Sequence, residues 1–153
     1  MAIRQKTIVN LRVTGESVGH GRTDFEVRDL KAIIDEPVER GGTNLGPTPT
    51  EYAYTALMGC TTSISNKCAK KLGVDIGRLS YDMVVEFDRR GVQLIEEVDL
   101  PFPSIQLKVT SHGSASQAEL EQVGAETAKY CAVSKLFVAA GTKVEVTWEK
   151  AQG

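Results

Sequence analysis

Gly41 to Val74 reads GGTNLGPTPTEYAYTALMGCTTSISNKCAKKLGV, and the rest of the chain is arranged around it. It begins inside a loop: Asp35 to Thr48 holds two prolines and three glycines, residues that punctuate regular structure. Thr48-Pro49-Thr50-Glu51 then starts a helix. Thr48 suits the N-cap, Pro49 suits the first helical position, and Glu51 completes a capping box. Tyr52, Ala53, Ala56, Leu57, Cys60 and Ile64 recur near every fourth position, a helical stripe. The stripe is rich in small residues, so the helix is expected to approach its neighbours closely and to be deeply buried. Gly73 is a suitable residue to end it. Cys60 therefore sits in the middle of the longest helical pattern in the chain.

Upstream, Thr7 to Thr14 reads as a strand, Gly15 to Gly21 as a turn, Arg22 to Arg28 as an alternating strand and Leu30 to Ile34 as a third. Short strands joined by short turns predict an antiparallel meander. Downstream, a strand is expected within Gly77 to Arg90. Val92 to Leu100 reads either as a short strand or as an irregular hairpin arm. Pro101 and Pro103 then break regularity, and Ser104 to Ser111 alternates as a strand with one buried face. Ser116 and Glu119 form a second capping box at the head of a helix reaching Tyr130. Cys131 lies at its end, before a short segment from Val133 to Ala139. Lys143 to Glu149 is a last alternating strand. This segregation of strands and helices predicts an α+β fold with antiparallel sheets, a long central buried helix and a second helix.

Length and composition narrow the function classes. A chain of 153 residues with 41% hydrophobic and 25% charged residues suits one globular domain over 1–153. The net charge is −2, and the basic residues are scattered, so no nucleic-acid surface is expected. No apolar run approaches the roughly 18 residues of a membrane span. MAIRQKTIVNLRV lacks the pattern of a secretory signal, which makes the cytoplasm the expected compartment. The three cysteines are then expected to be mostly reduced, and an odd number leaves at least one unpaired.

Cys60 and Cys131 are the candidates for chemistry. A thiolate near a cation or a helix N-terminus is a nucleophile, and a sulfenic acid formed on one thiol condenses with a second to a disulfide. Two small buried hydrophobes would look the same by spacing. Cys68 reads as incidental. His20 and His112 both fall in turns, and no short-spaced ligand pair suggests a metal. No cofactor is expected either: GGTNLGPTPT lacks the lysine of a phosphate loop, and its prolines remove amide donors. Arg40, in the loop feeding the helix, and Arg22, after the first turn, are the arginines that could serve a thiolate. Glu51 could orient one of them while also capping the helix.

GTNLGPTPTEY…ALMGC, followed much later by CAVSKL, resembles the OsmC/Ohr family of hydroperoxide-handling proteins, over nearly the whole chain. The resemblance implies an intertwined homodimer with the cysteine helix packed centrally and active sites at the subunit interface. It implies a thiol peroxidase that reduces organic hydroperoxides, with Cys60 as the peroxidatic nucleophile and Cys131 resolving its sulfenic acid. An arginine, assigned to Arg40, would stabilise the thiolate, and Glu51 would hold that arginine. An external dithiol would restore both thiols. Where the family's peroxidases usually read Asn-Pro-Glu, this chain reads Pro49-Thr50-Glu51, which sets the glutamate one residue, or about 100°, further round the helix. Ala132 stands where a proline often follows the second cysteine. The other readings are a non-catalytic member of the fold that binds an apolar small molecule or lipid at the dimer interface, and a structural or regulatory dimer with inert cysteines.

Overall fold

A computed structural model describes residues 7–152. The chain divides into two compact units, Met1–Ala53 and Tyr54–Gly153. The first is the expected meander: strands β1 (Val13–Ser17), β2 (Thr23–Val27) and β3 (Leu30–Ile34) pair antiparallel in the order β1-β2-β3. The first strand differs from the sequence reading. It starts at Val13 rather than Thr7 and runs through Gly15 to Ser17. Pairing explains this, because β2 ends at Val27 opposite Val13, and the chain then turns into β3. Residues before Val13 have no β2 backbone opposite them. After β3 comes a short 3-10 turn, Val38–Arg40.

Helix α1 spans Pro49–Leu72, and its start and stop are those that the sequence predicts. The Thr48 amide donates to Glu51 Oε2 at 2.8 Å and the Glu51 amide to Thr48 Oγ1 at 3.3 Å, closing the capping box. Gly73 ends the helix at φ +72°, and the following Val74 amide reaches back to the Ala69 carbonyl at 2.9 Å. Among the described residues, no helix is long and apolar enough to cross a membrane.

The second unit contains strands β4 (Leu79–Val85), β5 (Ser104–Ser111) and β6 (Lys143–Lys150), with helices α2 (Gln117–Tyr130) and α3 (Ala132–Ala139) between β5 and β6. The sheet order is β4-β5-β6. β4 pairs antiparallel with β5, but β5 and β6 are parallel. The helical crossover between them accounts for this, since parallel neighbours need a long connection. Val92 to Leu100 forms no strand. Arg89 to Ile95 winds through turns, with the Gln93 amide on the Arg89 carbonyl at 3.0 Å and the Ile95 amide on the Arg90 carbonyl at 2.9 Å.

β5 is the central strand and anchors the core. Ile105, Leu107 and Val109 are each no more than 1% exposed. Fully burying such side chains stabilises by about 1.5–3 kcal/mol each, so together they rival the net stability of a typical domain. A one-residue slip in register would bring Gln106 and Lys108 to that face instead, which fixes the sheet. Leu57 of α1, Leu120 and Val123 of α2, Phe137 of α3 and Trp148 of β6 complete the same core. The buried stripe of α1 is shifted from the sequence reading: Leu57, Thr61, Ser65, Cys68 and Ala69 are buried, whereas Ala53 and Ala56 are exposed and Cys60 and Ile64 are half-buried.

Gly124 in α2 is required by the core. A Cβ there would lie 2.6 Å from Trp148 Cδ1 and 2.7 Å from Nε1. Alanine gains up to about 1 kcal/mol in helix propensity over glycine, whereas forcing extra carbon into a packed core costs about 1–3 kcal/mol. Gly124→Ala is therefore expected to destabilise the protein by about 1 kcal/mol, measured as a lower urea midpoint with an unchanged slope.

Candidate active site

The structure brings together the two cysteines that lie 71 positions apart. Cys131 Sγ lies 2.9 Å from Cys60 Sγ, with the Cys131 thiol as donor, and both are free thiols. Their surroundings differ. Cys60 stands mid-helix at the edge of the buried stripe of α1 and is half-buried, while Cys131 is 1% exposed. Burial pushes the Cys131 thiol up to about 11, the hydrogen bond and charge of Cys60 adding to the rise and the amides of Ser134 and Val133 opposing it. Cys131 is thus a protonated thiol at neutral pH, directed at the other sulfur.

Cys131 is held there through its backbone. It is at once the C-cap of α2 and the N-cap of α3. Its amide donates to the Thr127 carbonyl at 3.0 Å, its carbonyl accepts from the Lys135 amide at 3.1 Å, and its Sγ accepts from the Ser134 amide at 3.4 Å. A helix start leaves its first amides without intrahelical partners, and here the sulfur serves as one. Beside it is a small cavity of about 30 Å³ lined by Leu57, Thr61, Thr127, Ser134 and Trp148, among others. That is room for about one water.

Arg40 and Glu51 belong to the first unit, and each is engaged locally. Arg40 sits in the 3-10 turn, exposed, with its Nε 3.1 Å from Glu36 Oε2. That oxygen has no aligned hydrogen bond, so charge rather than direction holds the pair. Glu51 caps α1 as described. Arg22 is clamped by Asp24 through two contacts of 2.6 and 2.7 Å, a bidentate pair that raises the arginine and lowers the aspartate from their ordinary values.

The residue that sequence reasoning missed here is Asp35. It is fully buried at the end of β3. Its carboxylate accepts from the amides of Glu36, Thr43 and Leu45 at 2.8, 3.1 and 3.0 Å and from Thr43 Oγ1 at 2.5 Å. These bonds fold the loop that carries Arg40 and leads to the α1 cap. The available signal is an aspartate between an apolar strand and a glycine-rich loop, since Asp bonds backbone amides in turns. The broad groove of the first unit, about 650 Å³, lies on the face of its sheet. Glu16, Asp24, Glu26 and Lys31 line it together with Val18, Phe25 and Ile33, and neither cysteine is part of it.

The capped cysteine helix, the sulfur pair and the α+β topology together define a class. Residues 42–147 match the OsmC-like protein family, and the chain belongs to that family. Solved structures with this fold include an OsmC-like protein from Mycoplasma pneumoniae, at a TM-score of 0.78 and 14% identity over 94% of this chain and 99% of that one. An organic hydroperoxide resistance protein from Elizabethkingia anophelis shares it at a TM-score of 0.69 and 15% identity, over 96% of this chain and 100% of that one. The organic hydroperoxide resistance protein OhrB of Bacillus subtilis does so at 0.60 and 17%, over 94% and 98%. Among curated protein sequences, none matches this one closely enough to be called a relative.

Asp35 has a pH signature. Burial alone would raise its carboxyl, but the hydrogen bonds from Thr43, Leu45 and Glu36 outweigh it and hold the group down at about 2. A carboxyl depressed from the unfolded value of about 3.9 contributes stability that is complete above that value and is lost as pH falls through about 2. Wild type is expected to lose stability between about pH 4 and pH 2, and Asp35→Asn to be less stable at pH 7 with that part of the acid dependence removed. Denaturant titrations followed by circular dichroism at several pH values check both.

Proposed function

We propose that this protein is a thiol-dependent peroxidase that reduces organic hydroperoxides through Cys60 and Cys131. The observation that carries the reading is the sulfur pair, 2.9 Å apart, with Cys60 half-buried and Cys131 buried. A peroxide reaches Cys60. The Cys60 thiolate attacks one peroxide oxygen and the O–O bond breaks. Cys60 becomes a sulfenic acid, and the alkoxide leaves as an alcohol after taking a proton. Cys131 then attacks the Cys60 sulfur, the S–S bond forms, and the sulfenic oxygen departs as water with the thiol proton. An external dithiol returns both cysteines to thiols and is itself oxidised to a disulfide.

Arg40 and Glu51 are proposed as the pair that supports the thiolate and the developing alkoxide. Guanidinium suits this because it stays charged and presents several donors. Glu51 is proposed to orient the arginine beside its role as the cap of α1. The family membership and the hydroperoxide resistance proteins among the structural neighbours point the same way. The protein is further proposed to act as a single functional domain, in the cytoplasm and as a homodimer. Exposed apolar side chains such as Val84, Leu136 and Val138, at 60%, 68% and 56% exposure, would gain from a second subunit. Sedimentation should then give twice the protomer mass, and a protomer mass would refute the dimer.

Cys60→Ser is expected to abolish hydroperoxide turnover, by about a hundredfold or more, as loss of a nucleophile does. Cys131→Ser should complete a first turnover and then, under excess peroxide, gain two oxygens at Cys60 as a sulfinic acid. The sole tryptophan, Trp148, lines the same cavity as Cys131, so its fluorescence should follow disulfide formation in wild type and be silent in both variants. Wild-type turnover in Cys60→Ser would overturn the proposal.

A further inference from the structure

We infer that the dithiol that reduces the oxidised protein attacks Cys60 Sγ, and that Cys131 is the sulfur released, as a thiolate, into the first turn of α3. This rests on the reading above that the two cysteines cycle through a disulfide, and it gives that disulfide a direction.

Two independent features of the pair carry it. The first is access. An attacking thiolate must reach the sulfur it bonds to, and Cys131 is 1% exposed whereas Cys60 is only half-buried. The second is what each sulfur meets as it leaves. Rates of thiol–disulfide exchange rise as the departing thiolate is better stabilised. Cys60 lies eleven residues from the first and twelve from the last residue of α1, where amides are committed to intrahelical bonds, so none is available to its sulfur. Cys131 is the N-cap of α3, and the Ser134 amide already points at its Sγ from 3.4 Å. The eight-residue helix behind that amide also places its positive end at the sulfur.

Burial, the largest cause of the raised Cys131 thiol, stays and opposes a charge there, while the smaller causes that come from Cys60 are removed during the reaction. The hydrogen bond and the charge of Cys60 both contribute to the rise. In the mixed disulfide, Cys60 is bonded to the reductant and carries no charge, so those two contributions are gone while the amides of α3 remain. The sequence of bonds is complete. The reductant thiolate bonds to Cys60 Sγ, the Cys60–Cys131 bond breaks, and its electron pair leaves on Cys131. The second thiol of the reductant then attacks the sulfur of its own first thiol and closes the oxidised reductant. Cys60 departs as a thiolate, and Cys131 takes up a proton. The locked backbone of Cys131 returns its sulfur to the same place for the next cycle.

The site of attack is read with the full chain oxidised by diamide, which makes the measurement independent of peroxide turnover. A short exposure to the monothiol N-acetylcysteine, blocking of free thiols with N-ethylmaleimide and tryptic mapping locate the mixed disulfide. Lys67 separates Cys60 from Cys68, and Lys129 separates Cys68 from Cys131, so each cysteine lies in its own peptide. The expected result is N-acetylcysteine on Cys60 and maleimide on Cys131. N-acetylcysteine on Cys131, or equally on both, overturns the inference. A Cys60–Cys131 disulfide that is attacked at Cys60 in a protein that turns over no hydroperoxide would refute the peroxidase reading and leave this one standing. Failure of diamide to form that disulfide would refute both.

The amide is tested separately. Ser134→Pro removes the donor to the sulfur at a position where the helix has no use for it, and reduction should slow about fivefold, the effect of losing one ordinary hydrogen bond. Ala132→Pro is the control: position 132 gives no bond to the sulfur, and Cys131, at φ −70° and ψ 106°, already has the extended conformation that a following proline requires. It should be reduced at the wild-type rate. Equal rates in all three proteins would remove the amide from the account, and if Ser134→Pro fails to fold, the adduct map in wild type decides.

Discussion

Cys131 is the constraint on which the site depends. Its amide, carbonyl and sulfur are all in hydrogen bonds, one ending α2 and two beginning α3. A cysteine in an ordinary loop would have rotamers and backbone states to lose before meeting a partner. This one has lost them on folding. α2 and α3 are themselves held against the sheet by Leu120, Val123 and Phe137, so the direction of the sulfur is set by the core. The free energy that aims the thiol comes from apolar burial some distance from any chemistry.

The phase of α1 does the complementary work. Leu57, Thr61, Ser65 and Ala69 follow one another every four residues and form the buried line. Cys60 comes three residues after Leu57, about 60° from it round the helix, and about 100° from Thr61. The offset puts its sulfur on the border between core and surface, near enough to meet Cys131 and open enough to be reached. Small hydroxyl residues on the line let the helix pack closely. Ser65 is satisfied locally, its Oγ donating to the Thr62 carbonyl at 3.3 Å. A longer side chain at Thr61 or Ser65 would push the helix outward and separate the sulfurs without touching either.

Much of the fold was legible because its signals are local. Thr48-Pro49-Thr50-Glu51, Ser116 with Glu119, and Gly73 each specify a helix end within a few residues, and the structure has all of them. What sequence left open depends on distant partners. The start of β1 is set by where β2 ends, and the direction of β6 is set by the crossover before it. Val133 to Ala139 reads only as a short segment, and the structure makes it a third helix, beginning at Ala132 because Cys131 caps it. The buried line of α1 was misplaced because Ala, Thr and Ser carry little hydrophobic signal, and only packing decides which of them turn inward. Cys60 and Cys131 were legible as a pair through family resemblance. No local rule predicts that residues 71 apart will stand 2.9 Å from each other.

Asp35, on which the loop's hydrogen bonds converge, was hard to see in the sequence. Four donors converge on one buried carboxylate, and three of them are backbone amides, which every sequence supplies. Nothing in the identity of Glu36 or Leu45 advertises the contact; only Thr43 adds a side chain. The convergence still has a consequence for the loop. A glycine- and proline-rich loop left to itself would sample many conformations. Tied at three points to the end of β3, it delivers Arg40 from one fixed turn and feeds Thr48 into its cap. The two units thus solve the same problem by the same means. A polar side chain accepts from backbone amides, three on the Asp35 carboxylate in one unit and that of Ser134 on the Cys131 sulfur in the other, and the segment around it is fixed.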